Sequence, residues 1–193
     1  MKIALIPCGV SEWRQKGRLL GRVELPLTPE GEAQCTAWGE ELRPAALKRI
    51  FYAPDELSRA TAQCIGRILN LPTKTLDDLE EVDLGLWTGL TEAELKQRYA
   101  KAHRQLLESP LNVAPPEGEN FSDAAARLRA CLKRRIKPNG KTALGLVMRP
   151  FAFAMARCVL EGVEPARLWE ASQHQDQPVV IDSAGVPALT ASV

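Results

Sequence analysis

Apolar and polar positions follow two periods along this chain. Residues 2–6 form a short apolar run stopped by Pro7 and Gly9, the pattern of a central parallel strand that runs into a loop. Thr28-Pro29-Glu30 then supplies a cap, a proline suited to the first helical position and an early acid, with Ala33, Ala37 and Leu42 following at helical spacing until Pro44. Residues 49–53 read as a second strand. Residues 57–69 read as a helix carrying Ala60, Cys64, Ile65 and Ile68 on one face. A third strand is expected at 73–76, a loop over 79–89, and a helix opened by Thr91 with Glu94 three positions on, the spacing of a capping box. Pro110, Pro115, Pro116 and Gly118 punctuate a loop before Ser122 and Asp123 open a long basic helix that ends near Pro138, Asn139 and Gly140. A strand at 143–148, a helix at 151–160 and a late strand at 179–181 complete the pattern. Strands separated by helical segments predict an α/β fold, a three-layer sandwich whose mostly parallel central sheet is covered by helices on both faces.

Composition narrows the function classes. At 193 residues the chain has the length of a single domain spanning residues 1–193, and 45% hydrophobic with 25% charged residues is ordinary globular usage. Lys and Arg number 25 against 24 Asp and Glu, a net charge of +1 that favours neither nucleic acid nor an anionic membrane as partner. Any anion site must therefore be local. The five cysteines, Cys8, Cys35, Cys64, Cys131 and Cys158, are spread without a CxxC pair or metal-ligand spacing, which predicts free thiols in a reducing, cytoplasmic setting. The first residues carry one positive charge and too short an apolar run for a signal peptide, and no stretch approaches the ~20 apolar residues of a membrane span. No metal or organic cofactor is implied.

In a sheet covered on both faces, ligands bind beyond the carboxyl ends of the strands, so Pro7-Cys8-Gly9, the segment 54–59 and Arg149-Pro150 are the candidate positions. Arginines converging there would hold an anion, because the guanidinium fork matches phosphate oxygens. The motifs around these positions form an ordered series. The chain reads Pro7-Cys8-Gly9, Trp13-Arg14, Gly17-Arg18, Gly21 and Pro26-Leu27-Thr28-Pro29-Glu30-Gly31, then Ala53-Pro54 with Leu57-Ser58-Arg59-Ala60. Next come Leu79-Glu80-Glu81, Gly85-Leu86-Trp87-Thr88-Gly89-Leu90-Thr91, and Pro115-Pro116-Glu117-Gly118-Glu119. This series, over residues 2–160, resembles the histidine phosphatase superfamily, whose fold is phosphoglycerate mutase-like. The resemblance implies a cap formed by residues 92–121 over the cleft.

It also implies a set of positions. In that family a first histidine accepts the phosphoryl group, its neighbouring arginine, a second arginine and a second histidine hold it, and a carboxylate donates a proton. In this sequence these positions fall on Cys8, Pro7, Arg59, Arg149 and Glu81. A thiol, a proline and an arginine thus stand where the family has His, Arg and His, and neither proline nor arginine can replace an imidazole that is phosphorylated at one nitrogen while oriented through the other. The expectation is a degenerate member that binds phosphate or a phosphorylated small molecule through Arg14, Arg18, Arg59 and Arg149 without phosphohistidine turnover.

Two alternatives stand beside it. Cys8 and Arg14 have the Cys-x5-Arg spacing of cysteine phosphatases, so Cys8 is a candidate nucleophile with Glu81 as proton donor, provided the loop amides aim at the anion. The chain can instead be a structural or regulatory subunit that binds a protein partner, its pocket blocked by Arg149. The plainer reading of the arginines is ion pairing, Arg59 and Arg149 with Glu81 and Glu80. Of the two histidines, His103 lies in a polar stretch and is expected to face solvent, and His174 follows the last long helix; neither is assigned a catalytic role. Trp13 and Trp87 are expected to pack beneath the loops.

Overall fold

The computed structural model describes residues 1–136, 142–162, 164–173, 175 and 177–183. Among the described residues five strands, β1 (Lys2–Pro7), β2 (Arg49–Tyr52), β3 (Thr73–Thr75), β4 (Leu144–Met148) and β5 (Val179–Asp182), form one sheet in the order β3-β2-β4-β1-β5. The first four are parallel and β5 pairs antiparallel with β1 at the edge. The mostly parallel sheet expected from the strand and helix alternation is thus present, with one antiparallel edge strand.

The strand side chains divide by the pleat. Ile3 and Leu5 of β1 join Leu144, Leu146 and Met148 of β4 in a core that includes Phe121, Leu128 and Phe153. Ala4 and Ile6 face the other way, onto a second core with Trp38, Leu42, Ala62 and Ile65. The first core is closed by α6 (Phe121–Arg135) and α7 (Pro150–Glu161), and the second by α2 (Pro29–Glu41) and α3 (Glu56–Leu69). A strand buried on both faces must be apolar throughout, which is why β1 and β4 read as continuous apolar runs.

The remaining helices are short: α1 (Glu12–Gln15), α4 (Glu92–Arg98), α5 (Ala100–Glu108) and α8 (Leu168–Gln173). Thr91 and Glu94 form the capping box their spacing predicts. Thr28 caps α2 by accepting from the Gly31 amide, and Gly31 itself is required because a Cβ there would lie 2.4 Å from the Val10 carbonyl oxygen. The motif Pro-Leu-Thr-x-x-Gly therefore ties the start of α2 to the loop after β1.

Several boundaries and orientations differ from expectation. Helix α3 starts at Glu56, one residue before the expected 57, with Asp55 as its cap, and α6 starts at Phe121 and ends at Arg135; Pro138, Asn139 and Gly140 lie outside the described residues, as does His174. His103 does not face solvent: it is buried, its Nε2 is 3.1 Å from Glu92 Oε1 and its ring stands edge-on to Trp169. It shares a helix face with Leu106, three residues on, so α5 buries the histidine to bury the leucine. No helix among the described residues is long and apolar enough to cross a membrane.

Candidate functional site

The carboxyl ends of β1 and β4 lie side by side, with Pro7 in register with Met148, and the Cys8 amide donates to the Met148 carbonyl at 3.0 Å. Cys8 and Arg149, the residues that follow those strands, are therefore brought together by backbone pairing alone. From β2 the chain reaches Asp55, whose Oδ1 accepts from the Ser58 amide at 2.8 Å as the cap of α3. The same oxygen stands 2.9 Å from Nε of Arg149. The cap of one helix is thus the counter-ion of the arginine.

Arg149 is 0% exposed. Its Nη1 donates to the Gly21 carbonyl at 2.8 Å, while Nε faces Asp55 as an ion pair without an aligned N–H and Nη2 has no hydrogen-bond partner among the described residues. A buried guanidinium donor left unmatched costs more than a neutral one, so Nη2 is the donor in this cluster best disposed to donate to a new oxygen.

Glu81 is equally buried and is held from three sides. Its carboxylate accepts from the Phe151 and Ala152 amides, each at 2.9 Å, and from the Val82 amide at 2.8 Å. Phe151 and Ala152 open α7, whose N-cap residue Arg149 makes no side-chain cap, so Glu81 does that work from a distant loop and faces the positive end of the helix. Burial nonetheless pushes its carboxyl up to about 7, against the opposing pull of those three amides and of Arg149. Arg22 steadies the segment by donating from Nε to the Glu81 carbonyl at 2.9 Å and pairing through Nη2 with Glu119 and Glu80. Arg127 binds Glu119 in turn.

The Cys8 thiol sits among the apolar side chains of Leu20 and Leu57. Burial pushes it up to about 12, with Arg149 and Arg14 pulling down and Asp55 and Glu81 pushing up. The amides of the loop behind it are committed: Cys8 to Met148, Gly9 to Thr61 Oγ1 at 2.9 Å, and Val10 to Gln34 Oε1 at 3.1 Å. Those three amides are therefore not available to an anion beside the thiol.

The arginines singled out in the sequence separate into two sets. Arg149 and Arg14 both act on the Cys8 thiol, and Arg14 also reaches the Gln173 carbonyl at 3.3 Å. Arg59 is 49% exposed, pairs with Glu56 at 2.8 Å, and lines an open cleft of about 330 Å³ together with Glu24 and Asp55. Arg18 donates to the Gly89 carbonyl at 2.5 Å and lies 3.6 Å from Glu94. The pairing of Arg59 and Arg149 with Glu81 and Glu80 is replaced: Asp55 takes Arg149, Glu56 takes Arg59, and Glu80 goes to Arg22. Helix geometry is the reason, since Glu56 is i−3 to Arg59 and Asp55 caps the same helix. Asp55 is the residue the sequence reading missed. Its signal was present, an Asp directly before an apolar helical face. The roles of Arg22, Glu119 and Arg127 carried no comparable signal, because Arg22 reaches Glu81 and Glu119 across 59 and 97 residues and Arg127 reaches the Glu80 carbonyl across 47. Trp87 is fully buried, and Trp13 packs against Gly89. Among the described residues no group of His, Cys, Asp and Glu could hold a metal ion.

Comparison with known proteins agrees with this layout. The chain is 26% identical over 169 residues to phosphoserine phosphatase 1 of Hydrogenobacter thermophilus, covering 88% of this chain and 80% of the relative. It is 27% identical over 190 residues to the 2,3-bisphosphoglycerate-dependent phosphoglycerate mutase of Brucella anthropi, covering 92% and 90%. Among solved structures, the mycobacterial glucosyl-3-phosphoglycerate phosphatase superposes with a TM-score of 0.74 at 23% identity, over 86% of this chain and 82% of that one. The alpha-ribazole phosphatase of Shigella flexneri gives 0.75 at 19%, over 96% and 98%; at such identities these two establish the fold alone. The family model for the histidine phosphatase superfamily, branch 1, matches residues 3–185, and the chain belongs to that superfamily.

Proposed function

We propose that this protein binds phosphate or a phosphorylated small molecule beside Arg149 and does not turn it over through a phosphohistidine. The observation that carries the reading is that Cys8, at the family's nucleophile position, lies beside a buried Arg149 whose Nη2 has no partner among the described residues. Cys8 and Arg149 stand where a phosphoryl acceptor and its second histidine would, and neither offers an imidazole. What persists is the cation. In this reading residues 1–193 are one domain with residues 92–121 as the cap, Arg149 and Arg14 contact the ligand's oxygens, and Arg59 approaches from the cleft it shares with Asp55. The ligand class is suggested by the relatives' names, phosphoserine phosphatase and 2,3-bisphosphoglycerate-dependent phosphoglycerate mutase, which describe phosphate esters of small acids.

Binding requires an exchange. Asp55 neutralises Arg149 and Glu81 occupies the amides at the start of α7, so an incoming dianion competes with Asp55 for the guanidinium. The same saturation supports a second reading, a structural subunit with an internally neutralised pocket. Nucleophilic use of Cys8 is disfavoured by its raised thiol pKa and by the pairing of the amides of Cys8, Gly9 and Val10 within the protein.

Thermal unfolding with phosphate and with tungstate, on the natural protein and on Asp55→Asn, separates these. Binding predicts a rise in Tm with ligand concentration that is larger in Asp55→Asn, where the competitor is gone. A ligand at a hundredfold its Kd stabilises by ~2.7 kcal/mol, a shift of several degrees for a chain of this size. No shift in either protein rejects the binding reading in favour of the structural subunit. Phosphate release from a phosphomonoester panel, surviving in Arg149→Met, would reject it in favour of catalysis.

A further inference from the structure

Behind the loop that carries Cys8 and Gly9, two further cysteines face each other across a helix pair. Helices α2 and α3 follow consecutive parallel strands and run in the same direction. They approach so closely at Gly39 that a Cβ there would lie 2.7 Å from Cδ1 of Ile68. One turn earlier on each helix, four residues back from Gly39 and four back from Ile68, stand Cys35 and Cys64. Equal steps along two parallel helices preserve the facing relation, and the missing side chain at Gly39 lets the helices approach closely there. Both sulfurs belong to the same apolar cluster, and the two thiols lie close enough to act on one another.

Their surroundings differ in a useful way. Cys35 is fully buried, and its Sγ presses on Gly9, 2.8 Å from where a Cβ would stand. Cys64 is half-buried on the wall of a groove between the two helices, with its Sγ 3.9 Å from Thr36 Oγ1. One thiol is open to solvent-borne reagents and the other is held in reserve behind it.

We propose that Cys35 and Cys64 are an oxidation site, a dithiol converted by a peroxide to a disulfide that clamps α2 to α3. In the first step the Cys64 sulfur attacks hydrogen peroxide; an S–O bond forms, the O–O bond breaks, and one water leaves, with Cys64 oxidised to a sulfenic acid. In the second, the Cys35 sulfur attacks the Cys64 sulfur; the S–S bond forms, the S–O bond breaks, and the departing hydroxide takes the Cys35 proton to leave as a second water. Two thiols and one peroxide thus give one disulfide and two waters. Burial pushes the Cys35 thiol up to about 12, so the closing step is slow near neutral pH and accelerates about tenfold per pH unit below that value. Drawing the Cys35 sulfur towards Cys64 takes it off Gly9, whose amide is held by Thr61, so oxidation is felt at the loop that carries Cys8.

The test is peptide mapping of the full chain after treatment with hydrogen peroxide, quenched with an alkylating agent and digested without reductant. The expected result is an intact protein lighter by two hydrogens, a cross-linked pair of peptides containing Cys35 and Cys64, and loss of that pair in Cys64→Ser. Cys131→Ser and Cys158→Ser should form it unchanged, which guards against variants that fail to fold. Oxidation of Cys64 to a sulfinic acid with Cys35 still alkylatable after denaturation, or pairing between other cysteines, overturns the proposal. Because the readout is covalent, it stands or falls apart from any ligand binding at Arg149.

Discussion

At the scale of single residues, the site is a balance of buried charges in which each carboxylate has two tasks. Glu81 caps α7 and faces Arg149, yet burial raises its carboxyl from 4.5 to about 7. The folded form thus favours the proton. Between pH 4.5 and 7 the unfolded chain has released a proton that the folded chain still holds, so stability falls as pH rises through that window and levels off above it. Glu81→Gln should flatten this part of the curve of unfolding free energy against pH, measured by urea titration. Cys8 yields a second expectation. With its thiol near 12 it should react with iodoacetamide at pH 7 far more slowly than a free cysteine, and phosphate should leave that rate unchanged. Fast labelling slowed by phosphate would restore the cysteine as a nucleophile.

At the scale of elements, caps and close approaches decide where side chains can go. Asp55 caps α3 and pairs with Arg149 through one oxygen. Asp55→Asn keeps an acceptor for the Ser58 amide but leaves the guanidinium without its counter-ion, and breaking a buried pair in this way costs ~3–5 kcal/mol. The half-buried capping box at Thr91 holds no fully buried ion pair, so Thr91→Ala should cost about 1 kcal/mol. Chemical denaturation of both variants tests the contrast; a loss near zero in Asp55→Asn, whose cap is kept, would mean that Asp55 serves only as a cap. Gly85 has a φ of +47°, and a Cβ there would lie 2.2 Å from the Pro116 carbonyl oxygen. Gly85→Ala should therefore destabilise by ~1–3 kcal/mol by separating the loop of Glu81 from the loop of Glu119.

At the scale of the whole molecule, both cores are built on one sheet, since alternate residues of β1 and β4 serve opposite faces. Neither core can dissolve without exposing the strands of the other. Unfolding should accordingly follow one calorimetric transition, coincident by circular dichroism and tryptophan fluorescence. An earlier separate transition would show that residues 92–121 melt as their own unit. The sequence by itself determined the parallel sheet and its helices, because strands buried on both faces must be apolar and because Thr28, Thr91 and Glu94 are local signals read within a few residues. It also placed Cys8 and Arg149 just after strands, although the β1–β4 pairing that brings them together is a tertiary fact, and the ordered motifs pointed to the superfamily. Only the tertiary structure decided which carboxylate meets which arginine. The choice among Asp55, Glu56, Glu80, Glu81 and Glu119 depends on helix starts, loop approaches and burial that spacing does not encode. His103 was read as exposed for the same reason: the polarity of a helix is local, whereas the neighbour that covers it is supplied by α8 from a distant part of the chain.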